Sequence, residues 1–207
     1  MSAAITTLKP HKGKTWILTL SNGETHFLNG EIAAQFHLHQ GDLLTEEQLE
    51  QVLTAEQTRK AYQRALYLLD IRAYSYQELF QKLEATYPES VCYAVLDKLA
   101  GLNLINDARY AEALARHYVE VKHLGLRRAQ YAMLQRGISK ALAEEALEPY
   151  EDRMLEQCYT ILTKKYSRLL TDPEDRRAIE KAKAGMARLG YDYADIQAAI
   201  DYYLEEE

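Results

Sequence analysis

Cysteine is scarce in this chain, and where it occurs it stands alone. Cys92 and Cys158 are the two cysteines among 207 residues, far apart and each inside an apolar helical pattern. Both residues read as buried thiols in a reducing cytoplasm rather than as a disulfide or metal pair. Four prolines and nine glycines, with no Gly/Ser-rich stretch, leave room for short turns rather than linkers. No run of about 18 apolar residues is present, so no spanning helix is expected. The start, Met1-Ser2-Ala3-Ala4-Ile5, lacks a basic region followed by an apolar stretch, and no secretory signal is expected. Phosphate-cradling and metal motifs are missing too: there is no GxxxxGK[ST], no GxGxxG after a strand and no HExxH. His117 lies at the edge of an apolar stripe and reads as a packed side chain. The acid pairs Glu46-Glu47, Glu144-Glu145 and Asp172 with Glu174 fall at helix starts or exposed faces, where the helix dipole accounts for them. No enzyme activity, cofactor or metal is expected.

What the chain does have is a repeat of roughly fifty residues. Thr86-Tyr87-Pro88 aligns with Gly137-Ile138-Ser139 and Gly190-Tyr191-Asp192. In that register Val91, Leu142 and Asp195 form one column, Val95, Ala146 and Ala199 a second, and Leu96, Leu147 and Ile200 a third. Only Asp195 breaks an apolar column. Such periods mark stacked supersecondary units, each too small to bury its own apolar face. The expected fold is therefore mainly α, with tandem three-helix modules and a small N-terminal β-containing domain.

Residues 1–55 form that small domain. Ile5 to Lys9, Thr15 to Leu20 and Thr25 to Leu28 read as strands, with Asn22-Gly23 as a hairpin turn. A short helix near Gly30 to Phe36 follows, then a turn at Gly41-Asp42 and a further short helix opened by the capping box Thr45-Glu46-Glu47-Gln48. Module 1 spans 56–105: a helix ending near Arg72, a second opened by Ser75-Tyr76-Gln77-Glu78, and a third starting at Pro88-Glu89. Module 2 spans 106–150. Its long first helix, capped by Asn106 or Asp107, carries the stripe Tyr110, Leu114, Tyr118 and Val121 up to Gly125, and the second runs to Gly137. Ser139 caps its third helix. Module 3 spans 151–207, with Thr171-Asp172-Pro173-Glu174 as the cap of its second helix. Most of the sixteen tyrosines fall at core-facing spacings and read as packing residues.

The net charge of −6 is unevenly spread. Residues 106–140 carry seven Lys/Arg against three Asp/Glu, whereas 141–207 carry nine against sixteen and finish in Glu205-Glu206-Glu207. A basic middle between acidic ends suggests a localised surface for a polyanion or an acidic partner. The whole molecule would be repelled by bare DNA at long range, so direct binding to single- or double-stranded DNA should be weak and salt-sensitive. At about 100° per residue, Arg127, Arg128, Tyr131 and Gln135 share one face of their helix, opposite Ala129 and Met133. Two guanidinium groups beside an aromatic ring can pair with phosphates or carboxylates and stack on bases. A second stripe holds Arg109, Arg116 and His123, with Lys122 beside it, although Glu112 and Glu120 are spaced to pair with Arg116. Arg72 and Lys82 flank the corresponding loop of module 1 and complete the candidates.

Several runs carry a family resemblance. These are Ser75-Tyr76-Gln77-Glu78-Leu79-Phe80-Gln81-Lys82-Leu83, Val95-Leu96-Asp97-Lys98-Leu99 and Leu104-Ile105-Asn106-Asp107-Ala108-Arg109-Tyr110-Ala111. Gly125-Leu126-Arg127-Arg128, Leu134-Gln135-Arg136-Gly137-Ile138-Ser139 and Glu144-Glu145-Ala146-Leu147 add to them. Together they resemble the RecX family, well over about residues 5 to 150 and beyond that only through the module pattern. The resemblance implies a cytoplasmic, monomeric, non-enzymatic regulator. It would bind the RecA recombinase and its filament on single-stranded DNA, limiting recombination, ATP hydrolysis and repressor co-cleavage in DNA repair and the SOS response. The residues alone leave two other classes open, a stand-alone nucleic-acid-binding helical module and a helical scaffold for another protein.

Overall fold

A computed structural model describes residues 2–206. Met1, the first residue of the start discussed above, and Glu207, the last of the acidic run, lie outside the described residues. The chain divides into two compact units. One holds Leu79–Leu104 and the chain before Ala73, and the other holds Ala73–Glu78 and the chain from Ile105 on.

The first unit begins with strands β1 (Ser2–Lys12), β2 (Thr15–Leu20) and β3 (Thr25–Asn29). Gly13 and Gly23 turn the two hairpins at φ +57° and +88°, and the Asn22 Oδ1 accepts the Glu24 N–H at 3.0 Å. A fourth strand, β4 (Leu43–Thr45), pairs antiparallel with β1, giving the order β3-β2-β1-β4. Sequence reading stops at three strands because three residues are too few to show alternation. Helix α1 (Gly30–Gln35) is capped by Asn29, whose Oδ1 accepts the Glu31 N–H at 2.8 Å.

The largest departure from expectation is α2 (Glu46–Ile71), a single helix of 26 residues where two were expected. The capping box is present as read, with Thr45 and Gln48 bonded to each other's backbone, but the helix does not stop. Residues 49–58 contain neither glycine nor proline. Its buried side shifts from Val52 and Glu56 to Ala61, Ala65 and Leu68. The five-residue step from 56 to 61 rotates that side by about 140°, which mimics a break in period. The first half covers the sheet core of Ile5, Leu18, Leu20, Leu28, Leu38 and Leu44. The second packs on α4 (Glu89–Gly101), whose Val91, Cys92, Val95, Leu96 and Leu99 are buried. Leu79, Phe80 and Leu83 of α3 (Tyr76–Glu84) are buried as expected.

Glu56 fastens α2 to the sheet. It is only 4% exposed, and its carboxylate accepts the Asn29 N–H at 3.0 Å and the Arg59 guanidinium at 3.1 and 2.9 Å. Lys60 stands 3.4 Å away. Burial pushes the Glu56 pKa up, but the hydrogen bonds and positive charges of its partners outweigh it and hold the pKa below the ordinary carboxylate value.

The second unit contains α5 (Asp107–Arg116), α6 (Leu126–Leu134), α7 (Lys140–Leu147), α8 (Met154–Tyr166), α9 (Arg176–Leu189) and α10 (Tyr193–Glu206). One core runs through it, from Leu114 and Met133 past Leu147, Cys158 and Leu162 to Met186 and Ile200. The repeat register holds at its caps: Ser139 accepts the Leu142 N–H and Asp192 the Ala194 N–H, while Pro88 precedes α4. Two expectations are corrected. The helix after Asn106 does not remain α-helical to Gly125, because His117–Val121 widens to a π turn. That extra residue per turn puts Val119 in the core at 1% exposure and leaves Val121, read as part of the stripe, 61% exposed. The freed Val119 carbonyl accepts from Gln157 Nε2 at 3.2 Å. Helix α9 is capped by Asp175, which accepts the Arg177 and Ala178 N–H groups, rather than by Thr171 or Asp172. The Asp172 carboxylate instead closes a turn onto the Glu174 N–H.

Both cysteines are free and buried. Burial raises the Cys92 thiol pKa and pushes that of Cys158 up to about 12, with Asp195 adding to the shift. Neither thiol should react with a chromogenic disulfide at pH 8 in the folded protein, and both should react on unfolding. Rapid labelling of the native protein would contradict this packing.

Candidate interaction surface

The second unit contains two helix-to-helix joints of the same kind. At one, the end of α9 meets the start of α6. The Gly125 N–H donates to the Leu189 carbonyl, and Arg128 Nη1 donates to the Arg188 carbonyl, each at 2.9 Å. Gly190 turns the chain there at φ +92°, and a Cβ on either Gly125 or Gly190 would overlap the other segment's backbone. At the other joint, the end of α6 meets Ser75, which is fully buried and precedes α3. The Ser75 hydroxyl donates to the Arg136 carbonyl at 2.6 Å while its oxygen accepts the Glu78 N–H at 3.0 Å. Arg136 in turn pairs with Glu78 at 2.9 Å, which holds its guanidinium pKa above the usual value. The Tyr76 N–H donates to Asp107, whose carboxyl is shifted up by burial and by Glu78 despite that bond. In both joints the carbonyl end of one helix meets donors at the start of the next, so terminal groups that lack partners within a helix are satisfied.

These joints position the candidate face on α6. Arg127, Arg128, Tyr131 and Gln135 are exposed together, opposite the buried Ala129 and Met133, as the spacing predicts. Tyr131 is 63% exposed, so its ring stands in solvent. Arg128 differs from the other three because it also bridges to α9, and the sequence carries no signal for that bond. Arg109 and Arg116 lie exposed on α5, with Lys122 just past the π turn. The expected pairs with Arg116 do not form. Glu120 instead lies 3.9 Å from Arg153, because the π turn moves it out of the i,i+4 position. Arg109, Arg116, Lys122 and Arg127 make no ion pair among the described residues.

The first unit carries the remaining two candidates. Arg72 is the half-buried C-cap of α2, its N–H donating to the Leu68 carbonyl, and it has a further partner. Lys82 is exposed in the last turn of α3. His117 is exposed rather than packed, with its ring 5.6 Å from that of Tyr118. Five tyrosines, Tyr67, Tyr93, Tyr131, Tyr193 and Tyr202, are exposed and the other eleven are at least half-buried.

Among the described residues no group of His, Cys, Asp or Glu is arranged to hold a metal ion, and no helix is long and apolar enough to cross a membrane. A cleft of about 380 Å³ in the second unit mixes Glu120 and Glu156 with Arg153 and Lys164, so it has no single charge preference.

Three-helix units in tandem, a small antiparallel sheet and cations arrayed on exposed helix faces define a helical-repeat protein. Comparison with known proteins makes the class specific. Residues 61–99 match the family model for the first three-helix domain of RecX, and residues 106–147 match that for the second. The regulatory protein RecX of Prosthecochloris aestuarii is 34% identical over 148 residues, or 71% of this chain and 95% of that protein. RecX of Clostridioides difficile is 27% identical over 176 residues, 84% of this chain and 82% of its own. A crystal structure of a regulatory protein RecX superposes with a TM-score of 0.73 at 25% identity, covering 99% of this chain and all of that one. RecX from Lactobacillus salivarius gives 0.67 at 28% identity over 74% of this chain and 99% of its own. The chain belongs to the RecX family of regulatory proteins.

Proposed function

We propose that this protein binds the RecA recombinase and its filament on single-stranded DNA as a cytoplasmic monomer. Bound there, it restrains ATP hydrolysis, recombination and repressor co-cleavage, and so tunes DNA repair and the SOS response. It does this by occupying surface, without catalysing a reaction. The observation that carries the reading is a set of unpaired cations on α5 and α6, beside the exposed ring of Tyr131, in a chain of the RecX family. Guanidinium groups without partners retain their full capacity for carboxylates and phosphates, both of which a protein-coated DNA strand offers. In this reading the division into 1–55, 56–105, 106–150 and 151–207 is functional: module 2 supplies the main contact, with Arg72 and Lys82 of module 1 as auxiliary cations.

DNA-dependent ATP hydrolysis by RecA filaments, titrated with the full chain, tests the proposal. Inhibition together with co-sedimentation on filaments is expected, and the absence of both would overturn it. Arg127→Glu combined with Tyr131→Ala should weaken inhibition about tenfold or more at unchanged helicity, since neither side chain supports the fold. Reversal at Arg128 is a poorer probe, because it also removes the bond to α9.

A further inference from the structure

Counted as a block, module 3 is acidic, yet its charges are segregated. Residues 164–188 hold eight Lys/Arg and four Asp/Glu, and all twelve other acids of 141–207 lie outside that stretch with only Arg153 as a basic neighbour. On α9, Arg177, Lys181 and Arg188 are exposed and form no ion pair among the described residues. Spacings of four and seven residues place all three within about 40° of arc, beside a buried side of Ala178, Ala182, Gly185 and Met186. Lys183 is set apart from them, drawn to Glu180 at 3.2 Å and towards the Tyr193 ring.

The repeat register makes this stripe the counterpart of the α6 face. With Gly190 aligned on Gly137, Lys181 corresponds to Arg128, Ala184 to Tyr131 and Arg188 to Gln135. The two stripes also meet physically, because the Arg128 guanidinium bonds to the Arg188 carbonyl at 2.9 Å where α9 ends and α6 begins. We propose that the exposed cations of α9 and α6 form one continuous track across this joint, Arg177, Lys181 and Arg188 running into Arg128 and Arg127, which binds the phosphate backbone of single-stranded nucleic acid. At 1.5 Å per residue Arg177 to Arg188 spans roughly 16 Å along α9, and Arg128 and Arg127 carry the charge across the joint, room for a few phosphates. The exposed Tyr131 favours a strand with free bases over an acidic protein surface, since a base can stack on its ring while arginines hold the backbone. The net charge of −6 does not oppose this at contact, because Debye screening limits the acidic remainder to about 10 Å at 0.1 M salt. The proposal goes beyond the RecA reading and does not depend on it.

Fluorescence anisotropy with a labelled thirty-nucleotide oligothymidine, measured on the full chain over a range of salt, provides the test. Each phosphate contact to a single strand contributes about 0.7 to the slope of log affinity against log salt. The triple variant Arg177→Ala, Lys181→Ala, Arg188→Ala should therefore lose about 2 from that slope, or on the order of 100-fold in affinity at 0.1 M salt. Circular dichroism should be unchanged, because none of the three side chains is buried. An unaltered slope in the folded triple variant would overturn the track, as would absence of oligonucleotide binding by the wild-type chain. RecA ATPase inhibition measured on the same samples separates the two readings. Wild-type inhibition without oligonucleotide binding would sink the track alone, and oligonucleotide binding without inhibition would sink the RecA reading alone.

Discussion

Gly190→Ala is expected to lower the unfolding midpoint of the second unit by about 10 °C or more. Two costs combine. The position has φ +92°, and a Cβ there would strike the backbone nitrogen and the Cβ of Arg128. An L-residue in the left-handed region costs roughly 1–2 kcal/mol, and forced overpacking costs typically about 1–3 kcal/mol. A loss of about 3 kcal/mol corresponds to about 12 °C for a unit of roughly a hundred residues. Gly23→Ala is the matched control. It has a similar φ of +88°, but nothing lies within 4 Å of the added methyl group, so it bears the backbone cost alone. Equal losses for the two variants would show that the α9–α6 joint is not close-packed. Since the joint also holds Arg128, Gly190→Ala should reduce binding through that face as well as stability.

Glu56→Ala should be comparably damaging, this time to the first unit. It would strip the Asn29 N–H and the Arg59 guanidinium of their acceptor in a place where water has little access. Removing one partner of a buried charge pair costs about 3 kcal/mol or more, and the fastening of α2 to the β3–α1 corner is lost with it. The carboxyl also gives the unit a pH dependence. Its folded pKa lies below its ordinary value, so its stabilisation is complete above the unfolded pKa and disappears as pH falls through the folded one. Acid unfolding of the wild type should therefore show a stability loss below the usual carboxylate range that Glu56→Gln lacks. Parallel acid curves for the two proteins would show that another group controls that loss.

Much of the fold was legible because its signals are local. The caps Thr45, Asn106 and Ser139, the turn at Asn22-Gly23 and the apolar columns ending in Leu96, Leu147 and Ile200 all appear as read. Elements went astray where the determinant was not local. β4 is a strand only because β1 passes beside it. α2 appeared divided because its buried side rotates from the sheet to the helices. The π turn at His117–Val121 leaves the Val119 carbonyl to a partner, Gln157, that is 38 residues away. The candidate face on α6 was legible in the same way as the helix itself, from spacing alone. Its continuation on α9 was hidden by a charge count over too long a window, in which the acids of α7 and α10 outnumber the cations of α9.

By itself the sequence determined the helical period, the repeat, the caps at Thr45, Asn106 and Ser139 and the family, all of which depend on residues within a turn or two or on matched columns. Tertiary structure alone decided what the repeat is joined by and which cations remain available. Arg128 and Arg136 look equivalent to Arg127 in one dimension. Folding ties Arg136 to a carboxylate 58 residues away and one nitrogen of Arg128 to a carbonyl 60 residues away, leaving the rest of the exposed Arg128 and all of Arg127 open to solvent. A guanidinium's availability is set by the groups around it in space, and chain spacing does not encode those at such separations.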